Sequence, residues 1–207
     1  MESQKPKIAM YVKRPFGEKL NASFDFLKEN WKLLLKFITY LLLPLCLIQA
    51  LSLNGLMSGA LSISAIASST AMAASSSSLI AFGSYYGLYM FLYLIGIILL
   101  TSLVYGLIRT YNEREERLQG VTLGMLKPRL FRNIKRLLLM TGACILLVLF
   151  VGIFVGLLVA LTPFTLFLTI PFIIAFSVPL ALLAPIYLFE DITLMEAFKK
   201  TFRLGFA

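Results

Sequence analysis

Hydrophobic residues fill two long stretches of this chain that contain no charged position. No Asp, Glu, Lys or Arg occurs from Phe37 to Ile108 or from Leu137 to Phe189, over 72 and 53 residues. A charge at the centre of a membrane-spanning helix costs about 2.5–3.5 kcal/mol, so such stretches suit a bilayer better than a water-soluble core. The pattern predicts an all-α, polytopic transmembrane helix bundle in a single membrane domain.

Breaks in apolar character divide these stretches into four predicted spans. The spans are expected at about 33–53, 79–108, 137–161 and 164–189. Residues 54–78 are uncharged but rich in Ser, Ala and Gly, and we interpret them as an external loop or a surface-lying segment. Thr162-Pro163 separates the last two spans, because a proline disfavours helix in the preceding residue.

An internal repeat places amphipathic segments beside the spans. The stretches VTLGMLKPRLFR, from Val121, and ITLMEAFKKTFR, from Ile192, match at an offset of 71 residues, and residues 17–32 are a weaker copy. Apolar residues recur at helical spacing in two copies, as Leu20, Phe24, Leu27 and Trp31, and as Leu123, Leu126, Leu130, Ile134 and Leu137. We expect short amphipathic helices on the inner leaflet, the last over 191–207; the alternative is ordinary loop helices packed on the bundle.

The copy that starts at Ile192, which is the third along the chain, carries a helix-start signal. Thr193 with Glu196 predicts a capping box, in which each residue's side chain satisfies the other's backbone N–H. Glu190 and Asp191 are too costly to place in hydrocarbon, so we expect the fourth span to end near them. The rival prediction is one straight helix from Phe164 to Phe206.

Basic residues predict the orientation. Residues 1–32 carry seven Lys and Arg, the 109–136 loop carries eight, and the tail adds Lys199, Lys200 and Arg203. The positive-inside rule therefore predicts that both termini and this loop lie in the cytoplasm, in a multi-pass protein of the inner (cytoplasmic) membrane.

The net charge of +9 predicts contact with anionic membrane lipids, worth about 1 kcal/mol per Lys or Arg near the surface. The predicted headgroup contacts are Lys127, Arg129, Arg132, Lys135, Arg136, Lys199, Lys200 and Arg203. The basic residues form no recognisable nucleic-acid module, so no nucleic-acid partner is predicted.

Small residues predict how the helices pack. Gly83 with Gly87, and Gly152 with Gly156, have the GxxxG spacing that lets lipid-immersed helices approach closely. Packing within the chain is favoured over dimerisation.

Reactive residue types are scarce. The chain has no His, and no acid lies between Glu29 and Glu113, so neither an imidazole metal site nor a carboxylate cluster for phosphodiester cleavage is predicted. Cys46 and Cys144 lie inside predicted spans and are expected to pack as small hydrophobes. We predict no enzyme activity and no cofactor.

Four segments carry a resemblance to a known group of proteins. The opening FGEKLNASFDFLKENWK, the Ser-rich segment, the VTL basic helix and the closing EDITLMEAFKKTFRLGF resemble uncharacterised bacterial membrane proteins, particularly from Bacteroidetes. These proteins look like the membrane domain attached to some glycerophosphodiester phosphodiesterases. The resemblance covers nearly the whole chain and implies a six-helix type of membrane domain. The chain departs from it by stopping at Ala207, which fits either truncation or a terminal anchor helix.

The leading functional hypothesis is a non-enzymatic membrane scaffold or accessory component that works through lipids and an unidentified membrane-protein partner. The alternative is permease-like transport of a lipid or hydrophobic solute. Transport is suggested by the helix-weakening Pro171, Pro179 and Pro185 and by a stripe of Tyr86, Tyr89 and Tyr93. A water-filled cytoplasmic cavity lined by these tyrosines and the fourth span would favour transport, and a solid bundle would favour the scaffold.

Overall fold

The computed structural model of the chain describes residues 7–9, 12–68, 76–162 and 164–206, in which the regular secondary structure is α-helical. The helices of this part are α1 (Phe16–Ser68), α2 (Ser76–Glu113), α3 (Leu123–Leu161), α4 (Thr165–Ala181), α5 (Leu183–Phe189) and α6 (Leu194–Gly205). Four described segments are long and apolar enough to cross a membrane: Phe16–Leu61, Leu79–Glu113, Leu123–Leu161 and Phe167–Phe189. The predicted all-α fold with four spans is confirmed.

Helix α1 continues well beyond the span predicted within it. Its 53 residues reach about 80 Å at 1.5 Å per residue. The external-loop interpretation of 54–78 is therefore wrong for 54–68 and 76–78, which are helical, and the surface-lying alternative stays a prediction there; residues 69–75 lie outside the described residues. Serines tolerate the helix because their hydroxyls donate to backbone carbonyls three residues earlier, from Ser58 to Gly55 at 2.9 Å and from Ser64 to Leu61 at 2.8 Å.

The basic connection is shorter than predicted. The expected loop over 109–136 leaves only 114–122 between helices, because α2 runs to Glu113 and α3 begins at Leu123. Contacts divide the described residues into two compact units, the first within Met1–Leu103 and Arg114–Leu123 and the second within Val104–Glu113 and Gly124–Ala207.

Within the first unit, α1 and α2 pack as an antiparallel pair around small residues. A Cβ atom built on Gly55 would lie 2.6 Å from the ring of Tyr85, and one on Gly96 would lie 3.2 Å from Leu45. Leu45 lies beside Gly96, and Gly55, later in α1, lies beside Tyr85, earlier in α2. The two helices therefore run antiparallel. Glycine permits this approach because it has no side chain.

The glycines that the sequence singled out for packing do not make such contacts. A Cβ atom on Gly83, Gly87, Gly152 or Gly156 would meet nothing within 4 Å among the described residues. The structure gives these positions no close helix contact within the described residues, and their role in helix packing stays a prediction, because GxxxG spacing identifies a small-residue face without showing which face meets a neighbour.

The first two amphipathic copies are not separate helices. Residues 17–32 begin α1, and residues 123–136 begin α3, without a break before the apolar segment. The stripe of Leu20, Phe24, Leu27 and Trp31 is exposed, whereas Leu126 and Leu137 of the second stripe are only 3% and 2% exposed. The second copy therefore packs against protein, as the alternative interpretation expected.

The third copy is a separate helix with the predicted start. The Glu196 N–H donates to Thr193 Oγ1 at 3.3 Å, and the Thr193 N–H donates to Glu196 Oε2 at 3.0 Å. The same contacts hold the pKa of Glu196 below its ordinary value, because the Thr193 backbone N–H hydrogen-bonds its carboxylate. The predicted capping box and the break near Glu190 and Asp191 are confirmed, and the straight-helix alternative is wrong.

Proline shapes the fourth span. Helix α4 ends at Ala181 and α5 begins at Leu183. Pro185 has no N–H to donate to the carbonyl of Ala181, so the helix is interrupted there. The Leu182 N–H bonds instead to the carbonyl of Pro179 at 3.0 Å.

Candidate lipid-contact site

Asp191 gathers three arginines in the second unit. Its carboxylate accepts from Arg109 at 2.9 Å, from Arg132 at 3.0 Å and from Arg136 at 2.5 Å. Arg132 and Arg136 lie one turn apart on α3, whereas Asp191 follows α5 in a left-handed conformation with φ of 52°. A short polar residue such as Asp tolerates this conformation better than most. The turn between α5 and α6 is thereby tied to α2 and α3.

Glu113 is the second carboxylate of the cluster. It accepts from Arg109 Nε at 3.0 Å and is also bound by Arg129. Arg129 donates in addition to the hydroxyl of Thr110 at 3.1 Å. Arg109 therefore bridges both carboxylates, which joins the four arginines and the two carboxylates into one network. We call these residues the arginine cluster: Arg109, Glu113, Arg129, Arg132, Arg136 and Asp191.

The arginine cluster carries two more positive than negative charges, because four arginines face two carboxylates. Burial alone would raise the pKa of Asp191, but hydrogen bonding from Arg109 and the charges of its three arginines together hold the pKa below its ordinary value. The carboxylate is therefore ionised at neutral pH. A shallow pocket of about 240 Å³, lined by Arg109, Glu113, Pro128, Arg129 and Arg132, opens beside the cluster.

The eight predicted headgroup residues divide into two groups. Arg129, Arg132, Arg136 and Lys200 are held in ion pairs, the last with Glu190 at 2.6 Å. Lys127, Lys135, Lys199 and Arg203 are exposed, and no ion pair within 4.0 Å is found for them in the described part of the chain.

Arg136 is the least available of the predicted headgroup contacts. Its side chain is only 17% exposed, and its guanidinium lies 4.3 Å from the ring centre of Tyr187. It also donates to the carbonyl of Ile192 at 2.6 Å. The structure therefore gives Arg136 an internal role in place of the predicted surface one.

Helix α6 packs against α4 and α5 through small residues. Ala197 and Thr201 are fully buried, and a Cβ atom on Gly205 would lie 2.8 Å from Pro179 Cβ. Leu183 and Tyr187 of α5 complete a hydrophobic core with Ala197. Leu194, Phe198 and Phe202 are only partly buried, since the fully packed face of α6 is the small-residue one.

An apolar cleft lies among α3, α4 and α6, all within the second unit. Its volume is about 670 Å³. Val151 and Leu158 of α3, Phe172 of α4, and Phe198 and Phe202 of α6 are among its wall residues.

The polar side chains in the cleft wall are already satisfied. The hydroxyls of Thr169 and Ser177 donate at 2.7 Å to the carbonyls of Thr165 and Ile174. The cleft therefore offers apolar contact and very little hydrogen bonding.

Neither the cleft nor the central role of Asp191 is evident from the sequence. The predicted tyrosine stripe does not line the cleft, and Tyr86 and Tyr93 are exposed. From the sequence, Asp191 indicates only where the fourth span ends. The available signal was its position beside a helix break, in a chain whose 19 basic residues outnumber its 10 acidic ones, so that a carboxylate there has several potential partners.

Comparisons with protein-family models, with curated proteins and with solved structures find no match for this chain. The resemblance to the membrane domain of glycerophosphodiester phosphodiesterases therefore stays a prediction.

Proposed function

We propose that this protein is a non-enzymatic scaffold or accessory component of the bacterial inner membrane that works through contacts with anionic lipids. The arginine cluster is the observation that carries the proposal. It fixes an excess of positive charge beside the ends of α2, α3 and α5, where apolar segments of membrane-spanning length give way to charged residues.

Four further basic groups extend this positive surface. Lys127, Lys135, Lys199 and Arg203 are exposed and have no carboxylate partner within 4.0 Å in the described residues, so their charge is available to a ligand. Each basic group near a bilayer surface gains about 1 kcal/mol from anionic lipid. The ion-paired arginines supply rigidity, and the exposed residues supply the lipid contact.

Lipid preference tests the proposal. The full chain in mixed phosphatidylglycerol and phosphatidylcholine nanodiscs should retain phosphatidylglycerol preferentially when its bound lipids are counted by native mass spectrometry. Changing Lys127, Lys135, Lys199 and Arg203 to Gln should lower that preference by at least about tenfold, which corresponds to losing about 1.4 kcal/mol. The matched control keeps the charge, with Lys→Arg at the first three positions and Arg203→Lys. Equal preference in all three proteins would contradict the proposal.

Permease-like transport of a lipid or hydrophobic solute is the second candidate, and the apolar cleft favours it. Liposomes containing the chain and a fluorescent phospholipid distinguish the two functions. Lipid movement between leaflets at the rate of protein-free liposomes supports the scaffold, whereas acceleration that Gly152→Phe abolishes supports transport. Gly152 lines the cleft, and a Cβ atom there would meet nothing within 4 Å.

A further inference from the structure

The cleft among α3, α4 and α6 has the size and chemistry of a binding site for a flexible apolar chain. Its volume of about 670 Å³ lies within the range of roughly 300–1,000 Å³ that is usual for ligand sites. Among the described wall residues, Thr169 and Ser177 carry hydroxyls, and both hydroxyls donate to the backbone of α4. An occupant with unsatisfied polar groups would lose free energy there.

The apolar wall of the cleft favours an acyl chain over a peptide as its occupant. A peptide would bring backbone N–H and C=O groups that need partners, and any that the peptide did not pair internally would find almost none in this wall. An acyl chain has no such groups and gains from dispersion and apolar contact alone. The cleft therefore favours lipid over a protein segment.

Helix α6 brings positive charge to the cleft. Phe198 and Phe202 form part of the wall, and each is followed directly by an exposed basic residue, Lys199 or Arg203. Successive residues on a helix are about 100° apart, so each basic side chain lies about 100° around α6 from the aromatic side chain that precedes it. The Phe176 ring lies 5.5 Å from that of Phe202, which fixes α6 against α4 beside the cleft. The residues from Leu137 to Phe189 carry no charge, whereas Lys199 and Arg203 of α6 are directly adjacent in sequence to the wall residues Phe198 and Phe202.

We propose that the cleft binds one acyl chain of an anionic phospholipid, with the headgroup phosphate at Lys199 and Arg203. The proposal rests on the proposed contact with anionic lipid and gives that contact a defined site. Charge complementarity selects the headgroup, while the apolar wall selects the chain. The close approach of Gly205 to Pro179 holds α6 where both contacts occur together.

Photocrosslinking of the full chain in nanodiscs tests this site. The bilayer is phosphatidylcholine with a small fraction of phosphatidylglycerol that carries a diazirine on one acyl chain, and crosslinked positions are mapped by peptide mass spectrometry. Crosslinks should concentrate in 147–158 of α3 and 168–180 of α4. A phosphatidylcholine probe with the same diazirine measures lipid that is present at the surface without headgroup selection.

Two variants that fill the cleft should remove these crosslinks. Gly152→Phe places a ring in the cleft from a position with open space, and Val151→Trp fills it from the neighbouring wall position. Crosslinking in the cleft should fall by about tenfold, which corresponds to about 1.4 kcal/mol. Gly142→Phe is the matched control, since Gly142 is also on α3 and faces open space but does not line the cleft.

A headgroup variant tests the charge contact without altering the cleft. Lys199→Gln with Arg203→Gln should lower cleft crosslinking by phosphatidylglycerol by up to about thirtyfold, toward the level of the phosphatidylcholine probe. Lys127→Gln with Lys135→Gln removes the same charge from α3 and should lower cleft crosslinking much less than the α6 variant does.

The proposed site is overturned if crosslinks spread evenly over the apolar surface, or if neither cleft-filling variant reduces them. It is also overturned if the two probes label the cleft equally and the α6 variant has no effect, because the lipid would then be bound without headgroup selection. If the protein retains its preference for phosphatidylglycerol in native mass spectrometry but gives no crosslinks in the cleft, the proposed site is wrong. The proposed function is then unaffected.

Discussion

At the scale of single residues, Asp191 has the largest number of charged partners in the arginine cluster. It neutralises part of the charge on Arg109, Arg132 and Arg136, which would otherwise repel one another. Its carboxylate is 37% exposed, so solvent weakens each contact relative to a buried pair. The three contacts act together, and losing them leaves three guanidinium groups with one fewer acceptor.

Asp191→Asn should therefore lower the free energy of unfolding by about 1–2 kcal/mol, toward the lower end for charged hydrogen bonds because of solvent exposure. Thermal unfolding of the detergent-solubilised protein measures the loss. Glu190→Gln is the matched control, since it removes an adjacent acid whose ion pair within the described residues is with Lys200 alone. An equal loss in both variants would contradict a special role for Asp191.

The pH dependence of this effect has a defined sign. The pKa of Asp191 is lower in the folded state than its ordinary value of 3.8, so its ionisation stabilises the fold above that pH. The contribution is lost as pH falls below 3.8 and through the folded-state pKa. The stability difference between the wild-type chain and Asp191→Asn should therefore be constant near neutral pH and shrink in this acidic range. A difference that shrinks instead on raising the pH above 7 would contradict the assignment.

At the scale of helices, α6 depends on a close approach that only glycine permits. A Cβ atom on Gly205 would lie 2.8 Å from Pro179 Cβ and 2.9 Å from Pro179 Cα, too close for any ordinary contact. Because the nearest atoms include backbone, the neighbour has little freedom to move aside. Alanine at this position must push α6 away from α4.

Gly205→Ala should thus speed hydrogen exchange of the α6 amides, despite alanine's better intrinsic helix propensity. Gly142→Ala provides the comparison, because its Cβ atom meets nothing within 4 Å and the change should be neutral or stabilising by up to about 1 kcal/mol. Hydrogen exchange followed by mass spectrometry, with both variants in the same detergent, gives the measurement. Unchanged exchange in α6 of Gly205→Ala would show that the helix is not held by this contact.

These helices also show what local sequence determines. The start of α6 was predictable because Thr193 and Glu196 form their capping box within four residues of one another. The continuity of α1 and α3 was not, because an amphipathic pattern looks the same whether its helix stops or runs on into a span. The Asp191 contacts join residues 55 to 82 positions apart, and the face of α3 that meets a neighbour depends on the whole fold.

At the scale of the whole molecule, apolar length and basic charge together determine the predicted membrane orientation. Ser64 lies 27 residues after Phe37 in one continuous helix, or about 40 Å along its axis. The hydrocarbon core is about 30 Å thick, so a helix crossing it from the inner face at Phe37 would carry Ser64 beyond the outer boundary. Gln119 lies in the basic turn between α2 and α3, and the positive-inside rule places it in the cytoplasm.

Cysteine labelling at these two positions tests the central claim that this is a multi-pass membrane protein with a basic cytoplasmic face. The variants are made in a background with Cys46 and Cys144 replaced by Ala. In cells whose outer membrane has been permeabilised, Ser64→Cys should react with an impermeant thiol reagent. Gln119→Cys should react only after the inner membrane is permeabilised. Reaction of Gln119→Cys in intact inner membranes, with protection of Ser64→Cys, would reverse the orientation and contradict the proposed contact with cytoplasmic anionic lipid.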